Sequence, residues 1–258
     1  MLKLIIYLLR LLNLTYYYFS LILEKFGKSP QWTQEVGRYF KLSPQKVINL
    51  YHQKRPKTAQ LWNKKKRNTE AQIQSFYSET DYFIYRQKYF HRHQAYFDMA
   101  LPLLLKRKGK FCEYGSGIGP VTHWLIRKFP HWHYHLTDLN CPVFKFAQWR
   151  FKSYPNISFR AVTPKKLPLK DKFDVIVCQE VLEHVSNPLA VVKHQITHLK
   201  SGGWLYLDFI YGPGEENLEA SARQRRKVLS LLKTDLEPIF AINSDNFSQG
   251  YGLYRKPQ

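Results

Sequence analysis

The chain has 258 residues, 44% of them hydrophobic, with 40 Lys+Arg against 19 Asp+Glu and a net charge of +21. This length accommodates one catalytic domain with an appendage, and the hydrophobic content excludes wholesale disorder. Three cysteines (Cys112, Cys141 and Cys178) without a C-x-x-C pair exclude a disulfide framework and a cysteine-based zinc ribbon. The composition therefore predicts a reduced, cytoplasmic protein.

The positive charge lies mainly in the first half of the chain. Residues 1–110 contain 21 Lys+Arg and 6 Asp+Glu, a net charge of +15, whereas residues 111–258 contain 19 and 13, a net charge of +6. An anionic lipid surface, a nucleic acid or an anionic substrate would each be attracted to such a region. Charge alone does not choose among these three partners.

Residues 1–28 are predicted to form one amphipathic, hydrophobic helix. At 100° per residue, its polar side chains share a single stripe: Lys3, Arg10, Asn13, Ser20, Glu24 and Lys28. A stripe of this kind, flanked by tyrosines, suits a helix lying in a membrane interface. Packing on the surface of the protein itself and a true membrane span are the alternatives. A signal peptide is disfavoured because no small-residue cleavage site follows.

Residues 29–107 are predicted to form a basic, aromatic-rich helical cap. Helices are expected to start at Ser29-Pro30 and Ser43-Pro44, and one or two more helices to occupy residues 70–105. The last segment interleaves aromatic residues such as Phe76, Tyr82 and Tyr85 with basic ones. These aromatic rings either stack on nucleobases or form the packed face of a cap over an active site, and the second interpretation is favoured.

Residues 108–258 alternate between short apolar runs and helical stretches. Strands are predicted at 110–114, 132–137, 157–162, 173–178, 203–210, 238–243 and 250–254. Helices are predicted around 120–129, 141–151, 187–199 and 218–233. This order predicts an α/β fold with a mostly parallel sheet covered on both faces. Ligands bind such sheets at the carboxyl ends of the strands.

A glycine-rich turn follows the first predicted strand. Residues 111–120 read FCEYGSGIGP, in which Glu113 precedes three alternating glycines and Pro120 suits the first position of a helix. An acid at the end of the strand favours a ligand with a cationic amino group. Asp138 ends the next strand, where a carboxylate can accept hydrogen bonds from both ribose hydroxyls. Together these residues predict a nucleoside-containing ligand.

The same segments resemble the class I S-adenosylmethionine-dependent methyltransferases. The similarity rests on EYGSGIG at 113–119, Asp138, LPLKDKFDVIVCQEVLEHVSNP at 167–188, LKSGGWL at 199–205 and the closing NFSQGYGLYRK. It implies a Rossmann-like, seven-stranded methyltransferase sheet, here with an N-terminal helical extension. The stretch CQEVLEHV is most similar to the quinone-biosynthesis O-methyltransferases and related small-molecule enzymes.

The resemblance implies roles for individual residues. Those implied to bind S-adenosyl-L-methionine are Glu113, Gly115, Ser116, Gly117 and Gly119 around the methionine moiety, Asp138 at the ribose, Leu139 beside the adenine, and Cys178 and Gln179 near the sulfonium. Many relatives place an acid four residues before the Leu-Pro pair to read the adenine amino group. This chain has Thr163 there, which can still accept a hydrogen bond.

Catalytic roles are implied for Glu180, Glu183 and His184. In some relatives the same E-x-x-E-H spacing binds Mg²⁺, which would orient and acidify a hydroxyl substrate. Otherwise His184 acts as a general base or is a hydrogen-bonded residue at the start of a helix. The expected site residues therefore include no metal ligand, and Mg²⁺ is an alternative cofactor.

The expected function is methyl transfer from S-adenosyl-L-methionine to a small, lipophilic acceptor, with O-methylation favoured. An RNA or other nucleic-acid methyltransferase that uses the basic N-terminal region is one alternative. A non-catalytic relative that binds only the cofactor or a membrane is another. Peripheral attachment to an anionic membrane surface through the first helix accompanies the favoured function.

Overall fold

A seven-stranded sheet forms the second half of the molecule. The computed structural model describes residues 1–26, 31–66, 69–163, 166–210, 216–242 and 249–258. The strands are β1 (Lys110–Tyr114), β2 (His133–Leu139), β3 (Ile157–Val162), β4 (Phe173–Cys178), β5 (Leu199–Ile210), β6 (Glu237–Ile242) and β7 (Gln249–Arg255). Their order across the sheet is β3-β2-β1-β4-β5-β7-β6.

The first five strands are parallel, and β7 pairs antiparallel with both β5 and β6. This arrangement confirms the predicted Rossmann-like sheet and its antiparallel end. The predicted bounds of β1, β3 and β4 match the observed ones, whereas β5 begins four residues earlier than predicted. All six residues of β4 are buried, as expected for a central parallel strand covered on both faces.

Helices cover both faces of the sheet. They are α7 (Pro120–Leu125), α8 (Pro142–Arg150), α9 (Pro188–Thr197), α10 (Glu219–Ala222) and α11 (Arg225–Asp235). One apolar core joins the sheet to α7, α8 and the N-terminal helices, and a second core joins it to α9 and α11. The predicted helix over 120–129 ends early, at Leu125, and the one over 218–233 is divided into α10 and α11.

In the described part of residues 29–107, the cap has five helices and a short 3₁₀ turn. These are α2 (Gln31–Phe40), α3 (Pro44–Lys64), α4 (Glu70–Glu79), α5 (Tyr82–Phe90), the turn His91–His93 and α6 (Phe97–Leu104). The predicted start at Ser43 is confirmed, because its hydroxyl accepts from the Lys46 amide at 3.3 Å. The start predicted at Ser29-Pro30 lies outside the described residues.

The prediction of one or two helices over residues 70–105 was wrong, because three helices form there. Thr80 is extended, with φ −130° and ψ 138°, and its hydroxyl accepts from the Tyr82 amide at 3.1 Å, so α4 ends and α5 begins. Gln94 is likewise extended after the 3₁₀ turn, with φ −80° and ψ 140°. Local side-chain bonds at these two positions outcompete a continuous helix.

The aromatic residues of the cap pack mainly against one another. Phe76 and Tyr85 are fully buried, and Tyr82 is nearly so. The rings of Phe40 and Tyr85 stack with centroids 5.4 Å apart, and those of Tyr51 and Tyr82 with centroids 6.0 Å apart. The interpretation as a packed face is therefore confirmed, and these rings are not available for stacking on nucleobases.

An ion cluster joins the cap to the sheet domain. The Glu35 carboxylate on α2 accepts from Arg150 Nε at 2.8 Å and Nη2 at 2.9 Å, and Lys88 Nζ lies 2.5 Å away. Burial raises the pKa of Glu35, but Arg150 and Lys88 outweigh it and lower the pKa to about 2. Glu35 therefore stays ionised to a lower pH than an ordinary glutamate.

Substituting Glu35→Gln is expected to destabilise the fold by about 3 kcal/mol at pH 7, because two buried cations lose their counter-charge. The folded pKa lies below the ordinary value of 4.5, so the contribution of Glu35 is complete above pH 4.5 and is lost as pH falls toward 2. Urea unfolding of the wild type and of Glu35→Gln, at pH values from about 3 to about 7, measures the difference in their free energies of unfolding. Glu79→Gln, an exposed partner of Lys65, is the matched control. A difference independent of pH would contradict the account.

Helix α1 (Leu2–Phe26) packs on the protein through its polar stripe. Asn13 Nδ2 donates to Asp98 at 2.7 Å, and Asn13 Oδ1 accepts from the Phe97 amide at 2.8 Å. Glu24 accepts from Arg92 at 3.2 Å. Packing on the protein is thus confirmed: Asn13 and Glu24 of the stripe face the protein, whereas Lys3 is exposed. Lys28 lies outside the described residues. By length and mean hydropathy (1.4), α1 could also cross a membrane.

Candidate active site

A cavity of about 1030 Å³ opens at the carboxyl ends of the parallel strands. Register places β1 between β2 and β4, with Glu113 opposite Leu136 on one side and Val177 on the other. The turns after these strands therefore meet at one edge of the sheet, and α4 and α5 of the cap form the opposite wall. Its volume is at the upper end of the usual range for small-molecule sites.

The glycine turn forms the floor of this cavity. Gly115, Gly117 and Gly119 have φ of 67°, 53° and 68°, a region in which other residues are strained. A Cβ on Gly115 would lie 2.2 Å from Val181, and one on Gly119 would lie 2.6 Å from Phe151. Glycine is therefore needed at both positions, and the turn exposes backbone to the cavity at Gly115 and Gly117.

Glu113 lines the cavity and also caps α7. Its two carboxylate oxygens accept from the amides of Val121 at 3.2 Å and Thr122 at 2.8 Å. Burial raises the pKa of Glu113 to about 7, although these amides favour the ionised form. A cationic group entering the cavity would favour ionisation further. Structural and binding roles are thus combined in one side chain.

Asp138 holds the glycine turn from the end of β2. Its Oδ2 accepts from the Gly117 amide at 2.5 Å, and its Oδ1 accepts from the Leu139 amide at 2.6 Å. Burial raises the pKa of Asp138 to about 6, against the effect of both amides. Leu139 and Thr163 line the same wall, so the structure brings these three predicted residues together.

A buried hydroxyl also belongs to this wall. Ser116 Oγ has no hydrogen-bond partner among the residues that the structure describes, and Ser116 lines the cavity. Such a group is satisfied when a ligand or water supplies a polar atom. The wall of Glu113, Ser116 and Asp138 is therefore built for a polar ligand.

Glu180 stands in a strained conformation after β4. Its φ is 51°, in the left-handed region that costs an L-residue about 1 kcal/mol. Its amide donates to Asp208 Oδ1 on β5 at 2.6 Å, which fixes this conformation. Burial raises the pKa of Asp208 to about 7, and the nearby Glu180 carboxylate adds to the effect. Glu180 and Gln179 both line the cavity.

His184 presents a neutral imidazole to the cavity. Its Nδ1 lies 3.0 Å from the Glu216 carbonyl oxygen, which can only accept, so Nδ1 carries the proton and Nε2 has a free lone pair. Burial lowers the pKa of His184 below its ordinary value of 6.5, although the Glu216 carbonyl opposes the shift. This is the arrangement that a general base requires.

Three predicted residues lie outside the cavity wall: Gly119, Cys178 and Glu183. Alternation along β4 turns the Cys178 side chain into the core beneath α9 and α11. Glu183 is 1% exposed, and burial raises the pKa of its carboxyl well above the usual range. Its Oε1 lies 3.9 Å from His184 Nε2. Because Glu183 does not line the cavity, it can affect a bound ligand only through a neighbouring residue such as His184.

The Mg²⁺ alternative is not supported. Within the described residues, no group of three or more His, Cys, Asp or Glu is arranged to hold a metal ion. Glu180 and His184 line the cavity, whereas Glu183 does not and is 1% exposed, so the cavity does not receive all three side chains of the E-x-x-E-H spacing.

The cap contributes residues that motif analysis did not assign to the site. The Tyr77 ring lies 6.4 Å from His184, and burial raises the pKa of its hydroxyl. Arg86 Nη1 donates to Glu216 at 3.0 Å. Gln87 Oε1 accepts from the Ile118 amide at 2.9 Å and so fastens α5 to the glycine turn. These contacts join segments distant in sequence, and no local pattern reveals them.

Comparison with known proteins yields one family match. A family model described as a methyltransferase domain matches residues 85–230, more than half of the chain, beginning within α5. A ubiquinone biosynthesis O-methyltransferase of Albidiferax ferrireducens is 37% identical over 54 residues, which are 20% of this chain and 21% of that protein. A malonyl-[acyl-carrier protein] O-methyltransferase of Bacillus cereus is 25% identical over 118 residues, 46% and 44% of the two chains.

These matches span less than half the length of the relatives. Among solved structures, the N-methyltransferase NodS of Bradyrhizobium japonicum WM9, in complex with S-adenosyl-L-homocysteine, has a TM-score of 0.47 and 17% identity, covering 68% of this chain and 88% of that one. Similarity at that level is too weak to support an inference about function.

Proposed function

Because the chain belongs to the methyltransferase-domain family, we propose that it transfers a methyl group from S-adenosyl-L-methionine to a small, lipophilic acceptor, with methylation on oxygen favoured. One observation carries the proposal. A single cavity has the glycine turn and Asp138 on one wall and His184, whose Nδ1 is held by the Glu216 carbonyl, on another. A nucleoside ligand and a nucleophile can therefore occupy the same enclosed space.

The residues of the first wall fit S-adenosyl-L-methionine. Glu113 suits the cationic amino group, and the backbone of Gly115 and Gly117 allows close approach of the methionine portion. Ser116 offers its buried hydroxyl. Gly119 contributes by allowing the turn itself. The cofactor, when bound, supplies an electrophilic methyl group on a positively charged sulfur.

The remaining cofactor contacts follow the wall toward β3 and β4. Asp138 accepts hydrogen bonds from the ribose hydroxyls while it still accepts from the Gly117 amide. Leu139 packs beside the adenine, and Thr163 accepts a hydrogen bond from it. Gln179 lines the cavity near the acceptor, whereas Cys178 contributes backbone and packing behind it.

The wall facing the acceptor carries apolar side chains among polar ones such as Arg86 and Gln87. It includes Ile73 and Phe83 from the cap and Val181 from the loop after β4. Apolar lining of this kind supports a lipophilic acceptor. His184 Nε2 takes the proton of the acceptor hydroxyl as the oxygen attacks. Glu180, exposed at the rim, orients the acceptor, and Glu183 is a positioning residue that acts through His184.

The nucleic-acid alternative loses one of its two supports. It rested on the charge of residues 1–110 and on aromatic rings free to stack with bases. Phe76, Tyr82 and Tyr85 are buried, and Phe90 alone among the aromatic residues of 70–105 is more than half exposed. Lys88 and Arg92 form ion pairs with Glu35 and Glu24. The non-catalytic alternative is disfavoured because the glycine turn, Asp138 and His184 are brought together intact.

The proposal is tested by supplying the protein with methyl-tritiated S-adenosyl-L-methionine and a panel of lipophilic phenols, with transfer RNA in parallel. We expect label in the organic-extractable phenol products and none in RNA. Label in RNA alone would establish the nucleic-acid alternative. Label in neither, from protein that binds the cofactor, would remove the lipophilic phenols from consideration.

A further inference from the structure

We propose that α1 attaches the protein to the surface of an anionic lipid bilayer, with the helix axis lying in the plane of the membrane. The observation behind this proposal is the orientation of α1. Asn13 and Glu24 of its polar stripe are bound to the protein, and its apolar face is directed outward. A surface helix of a globular protein normally has the opposite orientation.

The outward face of α1 is extensive. The large apolar side chains on this helix that are more than 40% exposed are Leu4, Tyr7, Leu8, Leu11, Leu12, Leu14, Tyr16, Tyr18, Phe19, Ile22, Leu23 and Phe26. Ile6 is the one residue of α1 that is buried. An apolar surface along 25 residues, in which Thr15 is the exposed polar member, marks a docking site. The tyrosines among these residues suit the interfacial zone of a bilayer.

The inward contacts of α1 exclude a membrane span. Glu24 is bonded to Arg92 and to His93, and Asn13 is bonded to Asp98. If α1 crossed the bilayer, these polar partners on the 3₁₀ turn and α6 would have to enter the hydrocarbon with it. Lying on the surface leaves every one of these bonds intact while the apolar face is covered.

Charge identifies the occupant of this face. Lys3 and Lys25 are exposed near the two ends of α1. At the end of α6, the helix that packs against α1, Leu104 and Leu105 are 64% exposed and are followed by the exposed residues 106–108, Lys-Arg-Lys. Basic residues beside apolar ones are attracted to anionic lipid. A second copy of this chain, with a net charge of +21, would bring like charges together instead.

The same helix reaches the active-site cavity. Arg10 on α1 lines the cavity, with its guanidinium 3.7 Å from the centroid of the Tyr251 ring. On the proposed function, a lipophilic acceptor would thus be delivered from the bilayer beside the cavity that receives it. The docking proposal itself does not depend on that function, and its tests use no enzyme activity.

The first test is co-sedimentation of the full chain with vesicles of phosphatidylcholine and phosphatidylglycerol, compared with phosphatidylcholine alone. The double variant Leu11→Asp/Phe19→Asp places charge on the outward face, where both side chains are about half exposed. Gln53→Asp/Gln60→Asp, on the exposed side of α3, is the matched control. We expect the wild type and the control to bind the anionic vesicles. The double variant should bind them at least about tenfold more weakly.

Depth and orientation are tested with a fluorophore. All three native cysteines are buried, so a thiol-reactive environment-sensitive dye can be directed to Leu11→Cys, with Gln60→Cys as the control site. We expect a blue shift and quenching by spin-labelled lipid at residue 11 but not at residue 60. Dyes at Lys3→Cys and Lys25→Cys should both be reduced by dithionite added outside the vesicles.

Three results would overturn the proposal. The first is a double variant that binds vesicles as well as the wild type. The second is protection of one of the two end labels from dithionite, which would show a span. The third is a dimer in solution that Leu11→Asp/Phe19→Asp converts to a monomer, which would assign the face to a second copy. Circular dichroism of each variant confirms that it is folded.

Discussion

Replacing His184 with asparagine is expected to lower kcat for methyl transfer by about 10²–10⁴-fold. Asparagine keeps a donor near the position of Nδ1, so the bond to the Glu216 carbonyl is retained while the basic Nε2 is removed. The measurement is single-turnover methyl transfer to a lipophilic phenol that the wild type accepts. The affinity for S-adenosyl-L-methionine should be unchanged, because the proposed cofactor contacts are on the other wall.

The pH profile separates a base from a merely structural residue. Burial holds the pKa of His184 below 6.5, so the imidazole is neutral and active above that pH. Wild-type kcat should be flat above about pH 6.5 and fall as pH drops through the folded pKa. The variant should lack this acidic limb. A variant within about threefold of wild-type kcat, with the same limb, would exclude His184 as the base.

Replacing Asp138 with asparagine is expected to weaken S-adenosyl-L-methionine binding by about 10–100-fold. An ionised carboxylate makes stronger bonds to two hydroxyls than an amide oxygen does. In the wild type, both Asp138 oxygens accept from the backbone amides of Gly117 and Leu139. The side-chain NH₂ of asparagine would face one of these two donors. Isothermal titration gives the dissociation constant directly, and the thermal midpoint shows whether the variant is folded.

Asp171→Asn is the matched control for this prediction. Asp171 is an exposed carboxylate, 3.6 Å from Lys110 and outside the cavity. The same chemical change there should leave the dissociation constant within a factor of about two. Equal affinities for the wild type and Asp138→Asn would contradict the place of Asp138 at the ribose.

The sheet was predictable because its strands are short, apolar and clearly bounded. β1, β3 and β4 match the predicted limits to the residue. Helix boundaries in the cap were less predictable, because the break at Thr80 depends on a side-chain bond to the Tyr82 amide. The polar stripe of α1 was visible in the sequence. That it faces the protein was not, because that depends on partners such as Asp98 and Arg92 far along the chain.

The candidate site divides in the same way. Glu113, Gly115, Gly117 and Asp138 lie in one local motif or at a strand end, and the structure brings them to one wall. Asp208 was missed, although a single acid within the apolar run LYLDFI was a readable signal. Tyr77 and Gln87 reach the cavity only through the packing of the cap. Motif membership likewise does not tell which way Glu183 points.

Isothermal titration of the full chain with S-adenosyl-L-methionine tests most directly whether this cavity binds the cofactor. We expect saturable binding at one site per chain, competed by S-adenosyl-L-homocysteine and weakened by Asp138→Asn but not by Asp171→Asn. The absence of any heat, together with an unchanged thermal midpoint of folded protein at millimolar ligand, would contradict the assignment of this cavity to the cofactor.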